Sequence, residues 1–156
     1  MTLNPLIIAS ELRRKAFIAA LSDFGMEPRR DWIIPGIVGP IGEETATAYV
    51  EATRLLKAAA HERPDAIVCG KDSIALQVYM AALRLGLRIP EDVAVIGFDD
   101  FILISETVEP PLTTVALPYY EIGRRVAHDL IALMSGEPPE IKVERIACPL
   151  IRRASA

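Results

Sequence analysis

Short apolar runs alternate with longer amphipathic stretches along most of this chain. The apolar runs have the length of strands, and the stretches that follow them carry apolar residues at helical spacing. This alternation is typical of βα units, whose strands join one parallel sheet through right-handed crossovers. The runs are apolar almost throughout, which indicates strands that are buried on both faces. We therefore predict an α/β fold built on a doubly wound parallel sheet.

Turn and capping residues divide the first two thirds of the chain into elements. Ser10 is a candidate N-cap of the first helix, which Gly25 ends. Asp72 or Ser73 is a candidate N-cap of the third helix, which Gly86 ends. The predicted strands are residues 5–10, 31–36, 65–70 and 93–97, and the predicted helices are 11–24, 43–61 and 73–85.

The rhythm breaks after Asp100. The stretch FILISETVEPPLTTVALP contains several prolines and no helical period, so we predict a long connection with one short strand at Leu112 to Val115. A helix with a clean apolar stripe is predicted from Pro118 to Met134 and ends before Gly136. The segment IKVERIACPLIRR alternates like a final strand.

Composition excludes several classes of protein. A length of 156 residues suits one domain, and a net charge of −4 argues against a nucleic-acid-binding face. The two cysteines lie far apart and no Cys/His cluster has zinc spacing, so we expect free thiols, no metal and no cofactor. Without a secretion signal or an apolar run long enough for a membrane helix, the chain is predicted to be cytoplasmic.

The mean hydropathy of +0.29 is high for a small independent domain. Apolar residues make up 51% of the sequence. We therefore expect some apolar surface to be covered by another chain or domain.

Ligands of open α/β sheets bind beyond the carboxyl ends of the strands. That rule selects residues 10–14, which include Arg13, after the first predicted strand and residues 37–43 after the second. It also selects Lys71 and Asp72 after the third strand, and Asp99 and Asp100 after the fourth. Carboxylate and guanidinium groups match the geometry of vicinal hydroxyls, so this rim suits a hydroxylated small molecule. The alternative role of Asp72 is a helix cap, and that of Asp100 is a local bond that stabilises its loop.

Three other functions, a nucleotide-binding loop, an enzyme and a phospho-receiver, fit these residues less well. The run CGKDS is similar to the end of a phosphate-binding loop, but Asp65 stands where that loop needs its first glycine. No G-x-S-x-G nucleophile turn is present, so an enzyme is not predicted. A phospho-receiver that used Asp99, Asp100 and Lys71 would need an acidic pair after its first strand, where only Glu11 occurs.

Two long segments resemble the effector-binding core of the LacI/GalR family of bacterial transcriptional repressors. They are RPDAIVCGKDSIALQVYMAALRLGLRIPEDVAVIGFDD and PPLTTVALPYYEIGRRVAHDLIALMSGE, and RRKAFIAAL and PLIRRAS add to the likeness. The resemblance covers nearly the whole chain from Glu11 onward. It implies a periplasmic-binding-protein-like fold of type I, with two lobes and a sugar or related effector between them.

The resemblance also implies a division of the chain. Residues 1–114 match the second lobe, 115–137 the crossover segment and helix that belong to the first lobe, and 138–156 the return strand to the second lobe. The family's N-terminal helix-turn-helix has no counterpart in these residues, so we expect DNA contact only through a segment that this sequence lacks. We expect a homodimer and no membrane partner.

The family's ligand positions carry over residue by residue. Arg13 matches an arginine that binds sugar hydroxyls, although Ala16 replaces the usual glycine after it. Asp99 matches the effector-contacting aspartate of GFDD, and Lys71 stands where the family usually has asparagine. A lysine there would favour an acidic effector such as a sugar acid or sugar phosphate. The alternative is that Lys71 points outward and that the pocket has lost its function. Ile37 is about where some members have an aromatic residue.

The resemblance implies that the chain binds a sugar or sugar-derived effector and dimerises as part of a LacI-type regulator. A structural fragment that dimerises without binding an effector is the alternative. A phospho-receiver-like domain is the third possibility.

Overall fold

The computed structural model describes residues 8–27, 29–36, 43–137 and 143–156. The helices are α1 (Ile8–Asp23), α2 (Glu43–Leu56), α3 (Asp72–Leu85), α4 (Ile102–Ser105) and α5 (Tyr119–Met134), with a 3-10 turn at Arg30–Trp32. The strands are β1 (Ala66–Val68), β2 (Ala94–Asp99), β3 (Thr113–Ala116) and β4 (Leu150–Ile151).

The described strands form one sheet in the order β1-β2-β3-β4. The first three are parallel, with Ile67 opposite Val95 and Gly97 opposite Thr114. β4 runs antiparallel to β3 and places Ile151 opposite Thr114. The prediction of an α/β fold with a parallel sheet is confirmed, and the carboxyl ends of β1 and β2 lie side by side at one edge.

Helices α2 and α3 pack on one another and, with the sheet, enclose the apolar core. The fully or nearly fully buried members include Ala52, Leu56, Ile67, Ile74, Ala75, Val78, Ala81, Ala82, Val93, Val95 and Leu112. Helix α3 ends at Gly86, as predicted, because this residue adopts the left-handed conformation at φ 67°. The N–H groups of Gly86 and Leu87 then bond back to Leu83 and Ala82.

The prediction of a strand at residues 5–10 is wrong for its last three residues, because α1 begins at Ile8. Residues 5–7 lie outside the described part of the chain. Ser10 is therefore inside the helix rather than its N-cap, and its side chain is buried.

The predicted strand at residues 31–36 is also wrong. The chain forms a 3-10 turn at Arg30–Trp32 and no strand over the rest of this range. Local side-chain contacts favour the turn: Arg29 forms an ion pair with Asp31 at 2.8 Å, and its guanidinium lies 4.3 Å from the centre of the Trp32 ring.

The connection after Asp100 contains an element that periodicity could not reveal, the single-turn helix α4. A helix of four residues is too short to show an apolar repeat. The short strand is confirmed as β3, one residue later than predicted. The first two residues of the predicted final strand, 141–153, lie outside the described part of the chain, and within 143–153 only β4 is a strand.

Helix α5 follows the predicted limits closely and has no buried residue. Its large apolar side chains, among them Val126, Leu130 and Leu133, are exposed. The exposed apolar surface that the high mean hydropathy predicted therefore lies largely on this helix, and its cover by another chain or domain stays a prediction.

Candidate functional site

A cavity of about 230 Å³ opens at the carboxyl ends of β1 and β2. Helix α1 forms one wall, and the 3-10 turn contributes Trp32 and Ile33. The residues that line the cavity are Ser10, Arg13, Arg14, Ala16, Phe17, Trp32, Ile33, Val68, Cys69, Gly70 and Phe98. The cavity thus lies at the edge of the sheet where open α/β folds bind their ligands.

Arg13 is the cationic group that reaches across this cavity to the sheet. Its guanidinium carbon lies 4.4 Å from the centre of the Phe98 ring, a cation–π contact that fixes the side chain. Burial lowers the pKa of Arg13, and the nearby carboxylate of Asp99 partly opposes that effect. The buried Nε has no hydrogen-bond partner among the described residues, so it is an available donor.

Asp99 is the last residue of β2 and adopts a positive φ of 105°. Aspartate is uncommon in this conformation, and such backbone strain clusters at binding sites. Its buried Oδ1 accepts no hydrogen bond from any described residue. Burial, followed by the charge of Asp72, raises the pKa of Asp99 to about 6.

We expect this raised pKa to make stability depend on pH. Between the ordinary value of 3.8 and about 6, the folded protein holds a proton that the unfolded chain has lost, so the free energy of unfolding falls as pH rises through this window. Asp99→Asn removes the ionised form, and at pH 8 we expect a gain on the order of 1 kcal/mol, because solvent partly screens this half-buried group.

Thermal melts of wild type and Asp99→Asn at pH 8 and pH 4.5 measure this effect. The variant should melt about 2–4 °C higher at pH 8, and the difference should shrink at pH 4.5. Equal differences at the two pH values would show that Asp99 has an ordinary pKa.

Asp72 lies inside the lobe and does not line the cavity. It is fully buried, and its carboxylate accepts hydrogen bonds from the Phe101 N–H at 2.8 Å and the Thr114 hydroxyl at 2.7 Å. Its interpretation as a helix cap is wrong, because Lys71 is the N-cap residue of α3 and Asp72 is the first residue of the helix. The carboxylate occupies the space that is free because Gly97 has no side chain.

Of the other two predicted pocket residues, Lys71 lies near the cavity and Ile37 cannot be placed. Lys71 is half-buried beside Gly70, which lines the cavity, and its carbonyl accepts the N–H groups of Ile74 and Ala75 in the first turn of α3. Ile37 lies outside the described residues. The structure thus places Asp99 near enough to Arg13 for its charge to act on the guanidinium, while Asp99 and Lys71 each follow a cavity-lining residue, Phe98 and Gly70, without lining the cavity themselves.

Several cavity residues were not predicted from the sequence. Phe98 carried no signal of its own, although it stands next to Asp99 at the strand end. Ser10 is buried with its hydroxyl unpaired among the described residues; the strand-end rule included it in residues 10–14, but it was not named as an effector contact. Cys69 also lines the cavity, and burial raises its pKa to about 11, which keeps the thiol protonated and unreactive.

Within the described ranges, no group of three or more His, Cys, Asp or Glu side chains is arranged to hold a metal ion. No helix in the same ranges is long and apolar enough to cross a membrane.

Residues 8–156 match the family described as the periplasmic binding protein-like domain. The chain belongs to this family, as an effector-binding core of the LacI/GalR type. The sucrose operon repressor of Escherichia coli is 43% identical over 91 residues, which are 58% of this chain and 26% of the repressor.

Solved LacI-family structures agree with the fold. A transcriptional regulator from Rhizobium etli is 42% identical with a TM-score of 0.87, and the alignment covers 99% of this chain and 54% of the regulator. The regulator CelR, solved with cellobiose, is 28% identical with a TM-score of 0.82, over 99% of this chain and 45% of that one. The chain therefore spans about a quarter of the curated repressor and about half of each solved regulator.

Proposed function

We propose that this LacI-type core binds a sugar or sugar-derived effector at the cavity beside α1 and dimerises as part of a transcriptional regulator. The observation that carries the proposal is the pair of buried, unpartnered atoms Arg13 Nε and Asp99 Oδ1 at the carboxyl end of the sheet. A buried polar atom without a partner costs free energy, so its retention points to a ligand that supplies the partner.

The chemistry of these two groups suits a hydroxyl-bearing ligand. The guanidinium donates hydrogen bonds, while the ionised carboxylate accepts them, and a sugar hydroxyl does both. Phe98 and Trp32 add apolar surface to the cavity, against which the C–H face of a sugar ring can pack. The related regulator CelR was solved with cellobiose, which supports a sugar as the effector class.

Dimerisation is supported by exposed apolar side chains on α4 and α3. Helix α4 contacts α3, and its Ile102 and Leu103 are exposed together with the preceding Phe101. Met80 and Leu83 of α3 are exposed as well. Large apolar side chains at this density on a surface mark a protein interface, and we assign it to a second copy of the chain.

Lys71 supports a more specific proposal about the effector. Lys71 is a cation at a position where the family usually has a neutral amide, and it follows the cavity-lining Gly70 in the chain. The combination of Lys71 with Arg13 favours an acidic effector, such as a sugar acid or a sugar phosphate, over a neutral sugar.

A thermal-shift screen tests both levels of the proposal. Glucose, cellobiose, gluconate and glucose 6-phosphate are added over a concentration series, because a ligand that binds only the folded state raises the melting temperature with concentration. We expect the largest shifts with the acidic compounds. In Lys71→Asn, their affinity should fall about tenfold, equivalent to the loss of one charge-assisted contact, while neutral sugars keep theirs.

The outcomes separate the alternatives. A shift that is equal for neutral and acidic sugars would contradict the role of Lys71 but keep the sugar site. A cooperative melt that no compound shifts would support the alternative of a structural fragment that does not bind an effector.

A further inference from the structure

The carboxylate of Asp72 joins three segments around the end of β2. It projects from the first turn of α3, and both of its oxygens accept hydrogen bonds: Oδ2 from the Phe101 N–H at 2.8 Å and Oδ1 from the Thr114 hydroxyl at 2.7 Å. Phe101 immediately precedes α4, and Thr114 belongs to β3. A fully buried carboxylate with two such donors is held in one position.

Strand β2 is shaped to receive this carboxylate. A Cβ added at Gly97 would lie 2.0 Å from Asp72 Oδ1, so the missing side chain makes room for the acid. Gly97 lies two residues before Asp99 in the same strand. Asp72 thus lies beside β2 close to Asp99, and its charge raises the pKa of Asp99.

The turn that carries Asp99 is held on both sides. Before it, β2 pairs with β3 as far as Asp99 opposite Ala116. After it, Asp99 and Asp100 adopt positive φ values of 105° and 51°, and the next N–H, that of Phe101, is bound by Asp72. Strained backbone persists only where its surroundings determine it, and here the Asp72 bond closes the turn.

The charged groups around Asp99 come from three directions. Asp72 faces it from α3, where Lys71 precedes, and Arg13 approaches from α1. Asp100 follows in the chain, and its carboxylate pairs with Arg153 at 2.9 Å. Burial raises the pKa of Asp99 to about 6, and the charge of Asp72 is the next cause. A carboxylate so close to another cannot ionise as readily.

We propose that Asp72 is a positioning residue: its buried carboxylate anchors the turn that carries Asp99 and determines the charge with which Asp99 meets an effector. This rests on the proposed function of Asp99 as an effector contact. A protonated Asp99 donates one hydrogen bond and tolerates an anionic effector, whereas an ionised Asp99 only accepts hydrogen bonds and repels one. Asp72 therefore influences effector choice without touching the effector.

Asp72→Asn and Thr114→Val separate this role from a purely structural one. Asparagine keeps an oxygen for the Phe101 N–H and places its amide against the Thr114 hydroxyl, but it carries no charge. Valine at position 114 has the shape of threonine and removes one donor from Asp72. Without this donor the Asp72 carboxylate is no longer held in place, so its charge acts less strongly on Asp99, and Asp99 ionises at lower pH in this variant too.

The measurement is the pH titration of the Asp99 side-chain carboxyl ¹³C resonance in the whole chain, from pH 4 to pH 8, without any sugar. In Asp72→Asn the midpoint should move down by roughly one pH unit, because burial alone remains to hold it up. Thr114→Val should move it in the same direction by less. Asp100→Asn is the matched control: it removes a charge one residue from Asp99 whose partner is Arg153, and it should leave the midpoint in place.

The proposal is overturned if folded Asp72→Asn titrates at the wild-type midpoint, or if Asp100→Asn moves the midpoint as far. Should Asp72→Asn fail to fold, the midpoint of Thr114→Val decides the question alone. Because the titration contains no effector, its result stands whether or not the sugar screen finds a ligand.

Discussion

Gly97→Ala is expected to destabilise the fold by about 3 kcal/mol, the combined effect of overpacking and of a displaced buried carboxylate. The added methyl group would lie 2.0 Å from Asp72 Oδ1 and 2.8 Å from Leu112 Cδ2. Asp72 cannot withdraw without losing its bonds to Thr114 and Phe101, and Leu112 is itself fully buried. Neither neighbour has free space into which it can move.

Urea unfolding measures this prediction, with Gly123→Ala as the control. Gly123 lies in α5 with no atom within 4 Å of its added Cβ, so alanine there should stabilise the helix by a few tenths of a kcal/mol to about 1 kcal/mol. A loss below 1 kcal/mol in Gly97→Ala would mean that the Asp72 carboxylate is not confined against β2.

Arg13→Met is expected to weaken the binding of a responsive sugar by about 10- to 100-fold, the loss of one or two charge-assisted hydrogen bonds. Methionine retains much of the apolar stem that packs near Phe98, so the fold should lose the cation–π contact, about 1 kcal/mol, and removal of the buried, unpartnered Nε should offset part of that loss. The change in affinity should therefore greatly exceed the change in stability.

Isothermal titration of the panel sugar with the largest thermal shift measures this loss. Lys15→Met is the control, because Lys15 lies two residues further along α1, is exposed, and does not line the cavity. Equal affinity in wild type and Arg13→Met would remove the arginine from the site, and an equal loss in Lys15→Met would point to a general effect of charge.

The elements that sequence predicted best are those whose local signals and tertiary roles agree. Strand β2 is an apolar run in the centre of the sheet, and α3 combines an apolar stripe with a glycine that ends it. Position at a strand end was also enough to bring Arg13 and Asp99 into one candidate site, because parallel strands deliver their carboxyl ends to the same edge.

The predictions that were wrong concern residues whose sequence pattern is compatible with two different structures. Residues 8–10 are apolar enough for a strand but continue into α1, and an apolar run alone does not decide between the two. Asp72 follows a strand and begins a helix, so the sequence offered a cap or a ligand contact. Its hydrogen bonds are with Phe101 and Thr114, which lie 29 and 42 residues further along the chain. A local sequence pattern cannot indicate partners so distant in the chain.

The central claim, that an effector binds between Arg13 and Asp99, is tested most directly by the Arg13 side-chain Nε–Hε signal in a ¹⁵N NMR titration with the responsive sugar. This donor has no partner among the described residues, so a bound hydroxyl or acid should shift its signal saturably, with the same dissociation constant as calorimetry. The Asp99 carboxyl resonance should move with it. A sugar that binds with measurable affinity and leaves both signals unchanged would contradict this site.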